Sequence, residues 1–124
     1  MNVTIGVDVG GTNIVCGATD EAGKVLRKLK RPTEAHAGHE AVLGRIAEMV
    51  AQIREELGAG IRVTSVGVGI PGLVDPLAGV SKFAGNLKWR DIPVAGLLGE
   101  QIGLPVFIDN DVRMYIYGEA VAGA

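Results

Sequence analysis

The sequence contains 124 residues, 48% of them hydrophobic and 21% charged, which is enough for one domain with one modest core. A net charge of -2 gives no indication of binding to nucleic acid or to an anionic membrane surface. No apolar run approaches the roughly 18 residues of a membrane-spanning helix, and we expect no signal peptide before the first predicted strand.

The first three predicted elements are strands. Residues 3–9 and 12–20 are rich in β-branched side chains. The second of them contains the single cysteine, Cys16, which excludes an internal disulfide and predicts a buried, unreactive thiol in a cytoplasmic protein. Residues 20–23 predict a turn, and the alternating residues 24–30 predict a third strand. The lysines and arginines of this strand could form a basic patch, but we favour a solvated sheet edge protected by charge.

The motif between the first two strands is Asp8-Val9-Gly10-Gly11-Thr12. Paired glycines let the backbone approach a ligand closely, and their amides together with the Thr12 hydroxyl can point at phosphate oxygens. An acidic residue at the end of the first strand, Asp8, can hold a hydrated Mg²⁺ beside that phosphate. The alternative is an ordinary glycine hairpin with an exposed aspartate.

Residues 38–57 have apolar side chains at helical spacing and predict an amphipathic helix that stops at the glycines of residues 58–60. His36 and His39 lie at the entry to this helix without a cluster of cysteine or acidic residues at ligand spacing. We therefore interpret both histidines as solvent-exposed or capping residues and predict no metal site there.

Residues 61–70 form a nearly continuous apolar run, as in a strand buried on both faces. The run ends in a glycine string that formally matches the dinucleotide pattern G-x-G-x-x-G. We reject that match because the pattern requires a helix to start within it, whereas residues 73–76 are extended or turning. A short extra strand is predicted over residues 78–83, followed by a loop over residues 85–89.

A second helix is predicted from Pro93 to Gly103, and a short buried strand over residues 104–108. Asp109-Asn110-Asp111 follows at once and begins a predicted third helix. Polar residues at the carboxyl end of a strand, beside a helix start, are typical of ligand sites in open α/β sheets. A helix cap is the alternative, and it explains one of these three residues well.

The predicted order is βββαβαβα. The first three strands read as an antiparallel meander, and the last two require helical crossovers and are therefore parallel to the first. A mixed five-stranded sheet with helices on its faces is the ribonuclease-H-like arrangement of actin-like kinases.

Several motifs, in the same order along the chain, resemble those of the ROK sugar kinases (repressor, open reading frame, kinase). They are Asp8-Val9-Gly10-Gly11-Thr12, Ile70-Pro71-Gly72-Leu73-Val74-Asp75, Gly85-Asn86-Leu87-Lys88-Trp89, Ile108-Asp109-Asn110-Asp111 and Gly118-Glu119. Many family members have Ala-Asn at the positions of Val112-Arg113. This departure affects the residues that would support Asp111, but not the assignment of Asp111 itself. The resemblance implies an ATP-dependent, glucokinase-like hexose kinase.

The resemblance also implies a role for each matched residue. Asp111 would be the general base that takes a proton from a sugar hydroxyl as its oxygen attacks the γ-phosphate of ATP. The groups implied in binding the hexose, glucose being the expected one, are Asn86, Asn110, Asp111 and the backbone near Gly72. Those implied in binding phosphate are Gly10, Gly11 and Thr12, with Mg²⁺ at Asp8.

The family kinases continue into a second lobe with the adenosine site and usually a zinc motif, and nothing in this sequence matches those parts. We therefore expect residues 1–124 to be an N-terminal lobe with little or no kinase activity alone, from a cytoplasmic homo-oligomer. The alternative is the sugar-sensing domain of a ROK transcription repressor, which would also bind DNA. Because repressors carry a helical DNA-binding domain before this lobe, a first strand directly after Met1 favours the kinase.

Overall fold

The structure, a computed structural model, describes residues 1–110, so the predicted third helix lies outside the described residues. Ten helices and strands follow one another in this part of the chain, with a short 3-10 turn at Ala35–Ala37. In chain order they are β1 (Asn2–Val9), β2 (Asn13–Asp20), β3 (Val25–Pro32), α1 (His39–Leu57), β4 (Arg62–Gly69), β5 (Leu73–Asp75), β6 (Val80–Ala84), β7 (Trp89–Ile92), α2 (Val94–Ile102) and β8 (Val106–Asp109).

The main sheet has five strands in the order β3-β2-β1-β4-β8. Strands β1, β2 and β3 are antiparallel neighbours, whereas β4 runs parallel to β1 and β8 runs parallel to β4. The ribonuclease-H-like arrangement predicted from the sequence is therefore confirmed. Parallel neighbours need crossovers, which α1 and the segment containing α2 supply.

The core lies between this sheet and the two helices. Six side chains of α1 are buried, and their spacing places them on one face: Val42, Leu43, Ile46, Met49, Val50 and Ile53. That face packs against β2 and β3, while α2 contacts both α1 and β8. Neither helix of the described part combines the length and apolar character needed to cross a bilayer.

The thiol of Cys16 lies in this core and is fully buried, as predicted. Burial raises the pKa of Cys16 to about 12, although the nearby Arg31 guanidinium acts in the opposite direction. The thiol is therefore not a nucleophile at neutral pH.

Strand β3 is the edge strand predicted from its charge pattern. Two of its basic side chains pair with acidic residues of α1, Arg27 with Glu56 at 3.9 Å and Arg31 with Glu48 at 3.7 Å. These pairs are solvent-exposed, so they contribute little stability, and the charges instead protect an open sheet edge.

A second sheet was not predicted. Strands β5, β6 and β7 form an antiparallel three-stranded sheet, and β7 begins at Trp89, at the end of the segment that we had assigned to a loop. These strands have three to five residues, which is too short for a reliable period-2 pattern. Pairing with β6 and burial of Trp89 decide the conformation of β7.

The prediction of a buried strand over residues 104–108 was only partly correct. Strand β8 starts at Val106, and Phe107 is 58% exposed while Ile108 is buried. Successive side chains of a strand point to opposite faces of the sheet, and within residues 1–110 the face that carries Ile108 is covered while the face that carries Phe107 is open.

The second sheet depends on a close approach between Gly79 and α2. Gly79 has a φ of 72°, and a Cβ placed on it would lie 2.5 Å from the Cβ of Ala95. We expect Gly79→Ala to lower the free energy of unfolding by about 1–3 kcal/mol, because it combines overpacking with a strained backbone.

The matched control is Gly96→Ala in α2, the helix that Gly79 approaches. A Cβ added to Gly96 meets nothing within 4 Å. That change should raise the free energy of unfolding by about 0.5–1 kcal/mol. Urea denaturation of both variants measures the two values. Equal effects of the two substitutions would contradict the packing described for Gly79.

Candidate functional site

Three parallel strands end at the same edge of the main sheet. Asp8 of β1 lies opposite Gly69 of β4, and Gly69 lies opposite Asp109 of β8. The backbone N–H of Ile70 donates to the carbonyl oxygen of Asp109 at 2.8 Å, which extends the pairing one residue further. The glycine motif after β1 and the polar segment after β8 therefore lie at one edge, where open α/β sheets bind ligands.

The glycine motif forms the tight connection between β1 and β2. The N–H of Gly10 donates to the carbonyl oxygen of Asn13 at 2.9 Å, which closes the turn. A Cβ on Gly10 would lie only 3.0 Å from that same oxygen. A side chain at this position would therefore crowd the turn, and glycine leaves its backbone accessible to a ligand.

Gly11 brings the glycine motif against the second sheet. A Cβ placed on Gly11 would lie 3.1 Å from the Cβ of Asn86, so the two residues are in contact distance. Asn86 and Gly11 come from motifs far apart in the sequence, and no pattern in either predicts that they meet. The structure thus joins a predicted phosphate-binding residue and a predicted sugar-binding residue in one site.

Asn86 is exposed because its neighbours anchor the turn between β6 and β7. The N–H of Leu87 donates to the carbonyl oxygen of Ala84 at 3.1 Å, and the side chains of Leu87 and Trp89 are buried. With these two apolar side chains directed into the core, the turn holds the amide of Asn86 at the surface.

Gly72 lies beside this turn, at the start of β5. Its φ is 96°, and a Cβ on Gly72 would collide with the carbonyl oxygen of Phe83 in β6. Only glycine fits this position, and the backbone of residues 70–73 can approach β6 closely for that reason. Leu73 follows in an extended conformation, so the dinucleotide-binding interpretation was rightly rejected, since no helix starts there.

The carboxyl group of Asp8 is half-buried at the end of β1. Desolvation by burial raises its pKa above the ordinary value. No hydrogen bond or ion pair reaches this side chain from any other residue between 1 and 110. A partly buried carboxylate without a protein cation suits a hydrated divalent ion, because Mg²⁺ keeps several waters and needs only one or two carboxylates.

Asp109 and Asn110 end the described part of the site. The N–H of Asn110 donates to the Asp109 carboxylate at 2.7 Å, a local side-chain-to-backbone hydrogen bond between adjacent residues. Asn110 itself is exposed. Asp111, the predicted general base, lies outside the described residues.

Sequence reasoning missed one residue of this region, Thr33. Its side chain is fully buried, and its hydroxyl donates to the carbonyl oxygen of Gly10 at 2.7 Å. A threonine after an edge strand carries no distinctive signal in a sequence, so only the tertiary structure reveals it.

The site is an open edge and not an enclosed cavity. A surface depression of about 580 Å³ lies at the opposite end of the main sheet, and Arg54, Arg62 and Leu104 are among its lining residues. That depression contains none of the residues implied in binding sugar or phosphate.

The comparisons with known proteins agree with the motifs. The model of the ROK family matches residues 4–124. The chain is 36% identical to the glucokinase of Thermotoga maritima over 121 residues, which are 97% of this chain and 37% of the relative. It is also 28% identical to the xylose repressor of Bacillus subtilis over 124 residues, which are 98% of this chain and 31% of the relative.

Among solved structures, the fold is similar to a ROK family glucokinase from Streptomyces griseus, determined in complex with glucose and AMPPNP. The TM-score is 0.82 and the identity 37%, over 98% of this chain and 37% of that one. The chain therefore spans little more than a third of the length of these two glucokinases.

The raised pKa of Asp8 predicts a pH-dependent effect of Asp8→Asn on stability. A carboxyl whose pKa is higher in the folded than in the unfolded state destabilises the fold once it ionises. We expect Asp8→Asn to raise the free energy of unfolding at pH 7 without divalent cations. The gain should disappear as the pH falls below 3.8, the ordinary pKa of an aspartate, where the group is protonated in both states.

Urea denaturation at pH 7 and at pH 3 tests this expectation. Glu100→Gln on the exposed surface of α2 is the matched control and should change stability by less than about 0.5 kcal/mol at either pH. A loss of stability in Asp8→Asn at pH 7 would mean that the carboxylate makes stabilising contacts instead.

Proposed function

This chain belongs to the ROK family, and we propose that it is the N-terminal lobe of an ATP-dependent, glucokinase-like hexose kinase. One observation carries the proposal: Gly11 of the glycine motif lies against Asn86, with 3.1 Å between an added Cβ and the Asn86 Cβ. A phosphate-binding turn in contact with a sugar-binding amide is the juxtaposition that phosphoryl transfer to a sugar hydroxyl requires. The identity of 36% to a glucokinase supports it.

Phosphoryl transfer depends on positioning and on neutralising charge more than on covalent chemistry. In this proposal the backbone N–H of Gly11 and the hydroxyl of Thr12 face the phosphates of ATP, while Gly10, whose N–H and C=O are hydrogen-bonded within the protein, shapes the turn beside them. Asp8 would hold the Mg²⁺ that accompanies the nucleotide and neutralises its charge.

The hexose, for which glucose is our first candidate, would bind beside this turn through directional polar groups. Asn86 and Asn110 would hydrogen-bond its hydroxyls, with the backbone near Gly72 completing the contact. Asp111 would accept the hydroxyl proton as the oxygen attacks the γ-phosphate.

The remaining parts of the proposal concern the whole protein. Because the chain spans 37% of the length of a matched glucokinase, we assign the adenosine site and any zinc site to a second lobe. Residues 1–124 alone should then show little or no kinase activity. A cytoplasmic location and a homo-oligomeric state complete the proposal.

The second candidate is the sugar-sensing domain of a transcription repressor. The observation that favours it is the match of 98% of this chain to a xylose repressor, at 28% identity. The higher identity to glucokinases, 36%, makes the kinase the better candidate. ATP-dependent phosphorylation of a hexose by the full-length protein distinguishes the two, because a sensing domain needs only to bind the sugar.

The assignment of Asp111 as the base is tested in the full-length protein by Asp111→Asn. This change keeps the shape of the side chain but removes the proton acceptor. We expect kcat to fall by roughly 10²–10⁴-fold, the usual contribution of a positioned base, with a much smaller change in the KM for hexose. Steady-state kinetics with saturating ATP provide both values.

Asp91→Asn is the control for Asp111→Asn. Asp91 is exposed, pairs with Lys82 at 3.2 Å and has a φ of 52°, a conformation that asparagine also tolerates. It should leave kcat unchanged. A near-native kcat in Asp111→Asn would reject Asp111 as the base and strengthen the repressor alternative.

Asn86→Ala should have the opposite kinetic signature. Removal of an exposed amide that hydrogen-bonds the hexose should raise the KM for hexose by roughly tenfold, with a smaller effect on kcat. Asn2→Ala, an exposed asparagine at the other end of the main sheet, is the matched control. An unchanged KM for hexose in Asn86→Ala would remove Asn86 from the sugar site.

A further inference from the structure

Thr33 contacts the glycine motif with its hydroxyl and with its backbone N–H. The residue directly follows β3 and has no exposed surface. Its Oγ1 donates to the carbonyl oxygen of Gly10 at 2.7 Å, and its backbone N–H donates to the carbonyl oxygen of Thr12 at 2.8 Å. One buried residue thus binds two of the three carbonyl groups in the turn of residues 10–12.

These bonds determine where the amides of the turn point. In a trans peptide the C=O of one residue and the N–H of the next are directed to opposite sides. No cis peptide bond occurs within residues 1–110. Because the Gly10 carbonyl is directed at Thr33, the N–H of Gly11 is directed away from Thr33.

The N–H groups of Gly11 and Thr12 have no hydrogen-bond partner in the described part of the chain, unlike that of Gly10, which closes the turn. Two unpartnered amides of adjacent residues in a glycine turn are suited to an anionic oxygen. Gly11 also contacts Asn86, so these donors belong to the site described above.

Thr33 is itself fixed by α1. The guanidinium of Arg45 donates to the carbonyl oxygen of Thr33 and, at 2.9 Å, to the carboxylate of Glu34. The Arg45 side chain is only 21% exposed. A chain of hydrogen bonds therefore runs from the rigid helix through Thr33 to the carbonyl groups of the glycine motif.

We propose that Thr33 is a positioning residue, which orients the Gly11 amide toward the nucleotide phosphates through its bond to the Gly10 carbonyl. This inference rests on the proposed function. It adds a residue that does not touch the substrates and belongs to none of the matched motifs. A role confined to stability would lower the melting temperature without a selective effect on either substrate.

The test uses Thr33→Val in the full-length protein, which removes the hydroxyl at nearly constant volume. We expect the KM for MgATP to rise about tenfold, because the Gly10 carbonyl loses a buried partner and the peptide unit can rotate. The KM for hexose should change less than twofold. Thr33→Ser restores the hydroxyl and should return the KM for MgATP to within about threefold of the original value.

Thr64→Val is the matched control. The Thr64 hydroxyl also donates to a backbone carbonyl, that of Val3 at 3.4 Å, but at the opposite end of the same sheet. Its kinetic constants should equal those of the original protein. If Thr33→Val does not fold, Arg45→Met removes the support of Thr33 and should raise the KM for MgATP at least threefold.

The outcomes separate the two proposals. An unchanged KM for MgATP in Thr33→Val, or in Arg45→Met where the first variant does not fold, overturns the positioning role and leaves the kinase proposal intact. A full-length protein that phosphorylates no hexose with ATP overturns the kinase proposal. In that case the NMR resonance of the Gly11 amide tests whether Thr33 orients this amide. A change in its chemical shift in Thr33→Val that Thr33→Ser reverses supports the positioning role, and an unchanged chemical shift overturns it.

Discussion

The alignment of β1 with β4 is the constraint on which the rest of the described structure depends. Strand β1 is hydrogen-bonded on both sides, antiparallel to β2 and parallel to β4. A shift of one residue would transfer its buried side chains to the other face, so the register is strongly determined. That register places Asp8 opposite Gly69, and Gly69 in turn lies opposite Asp109. The ligand edge of the sheet follows from core packing.

Close packing at glycines attaches the second sheet to this framework. Gly11 contacts Asn86 and Gly79 contacts α2, while Gly72 allows close pairing with Phe83 within the second sheet itself. At each of these positions a side chain would meet a neighbouring residue. Because glycine has no side chain, the neighbouring segments can approach each other closely. The functional consequence is that the turn carrying Asn86 stays beside the glycine motif.

The site also contains features that do not favour stability. Asp8 is partly desolvated without a protein cation among the described residues, and burial raises its pKa. The amides of Gly11 and Thr12 have no partner within residues 1–110. Groups left unsatisfied by the protein are expected where a ligand completes them, and the surrounding core compensates for their cost.

The sequence by itself determined two things: the helices and strands that have a strong hydrophobic periodicity, and the family to which the chain belongs. The helices α1 and α2, the meander of β1 to β3 and the parallel β4 could all be predicted, because local patterning dictates which face is buried. The motifs likewise identified Asp8, Gly72, Asn86 and Asn110 as candidates, and the role of Asp111 stays a prediction. Only the tertiary structure decided that β7 exists, that Gly11 meets Asn86, and that Thr33 binds the glycine turn. Each of these depends on a partner distant in the sequence, and a short strand or a single buried hydroxyl has no local signal that identifies that partner.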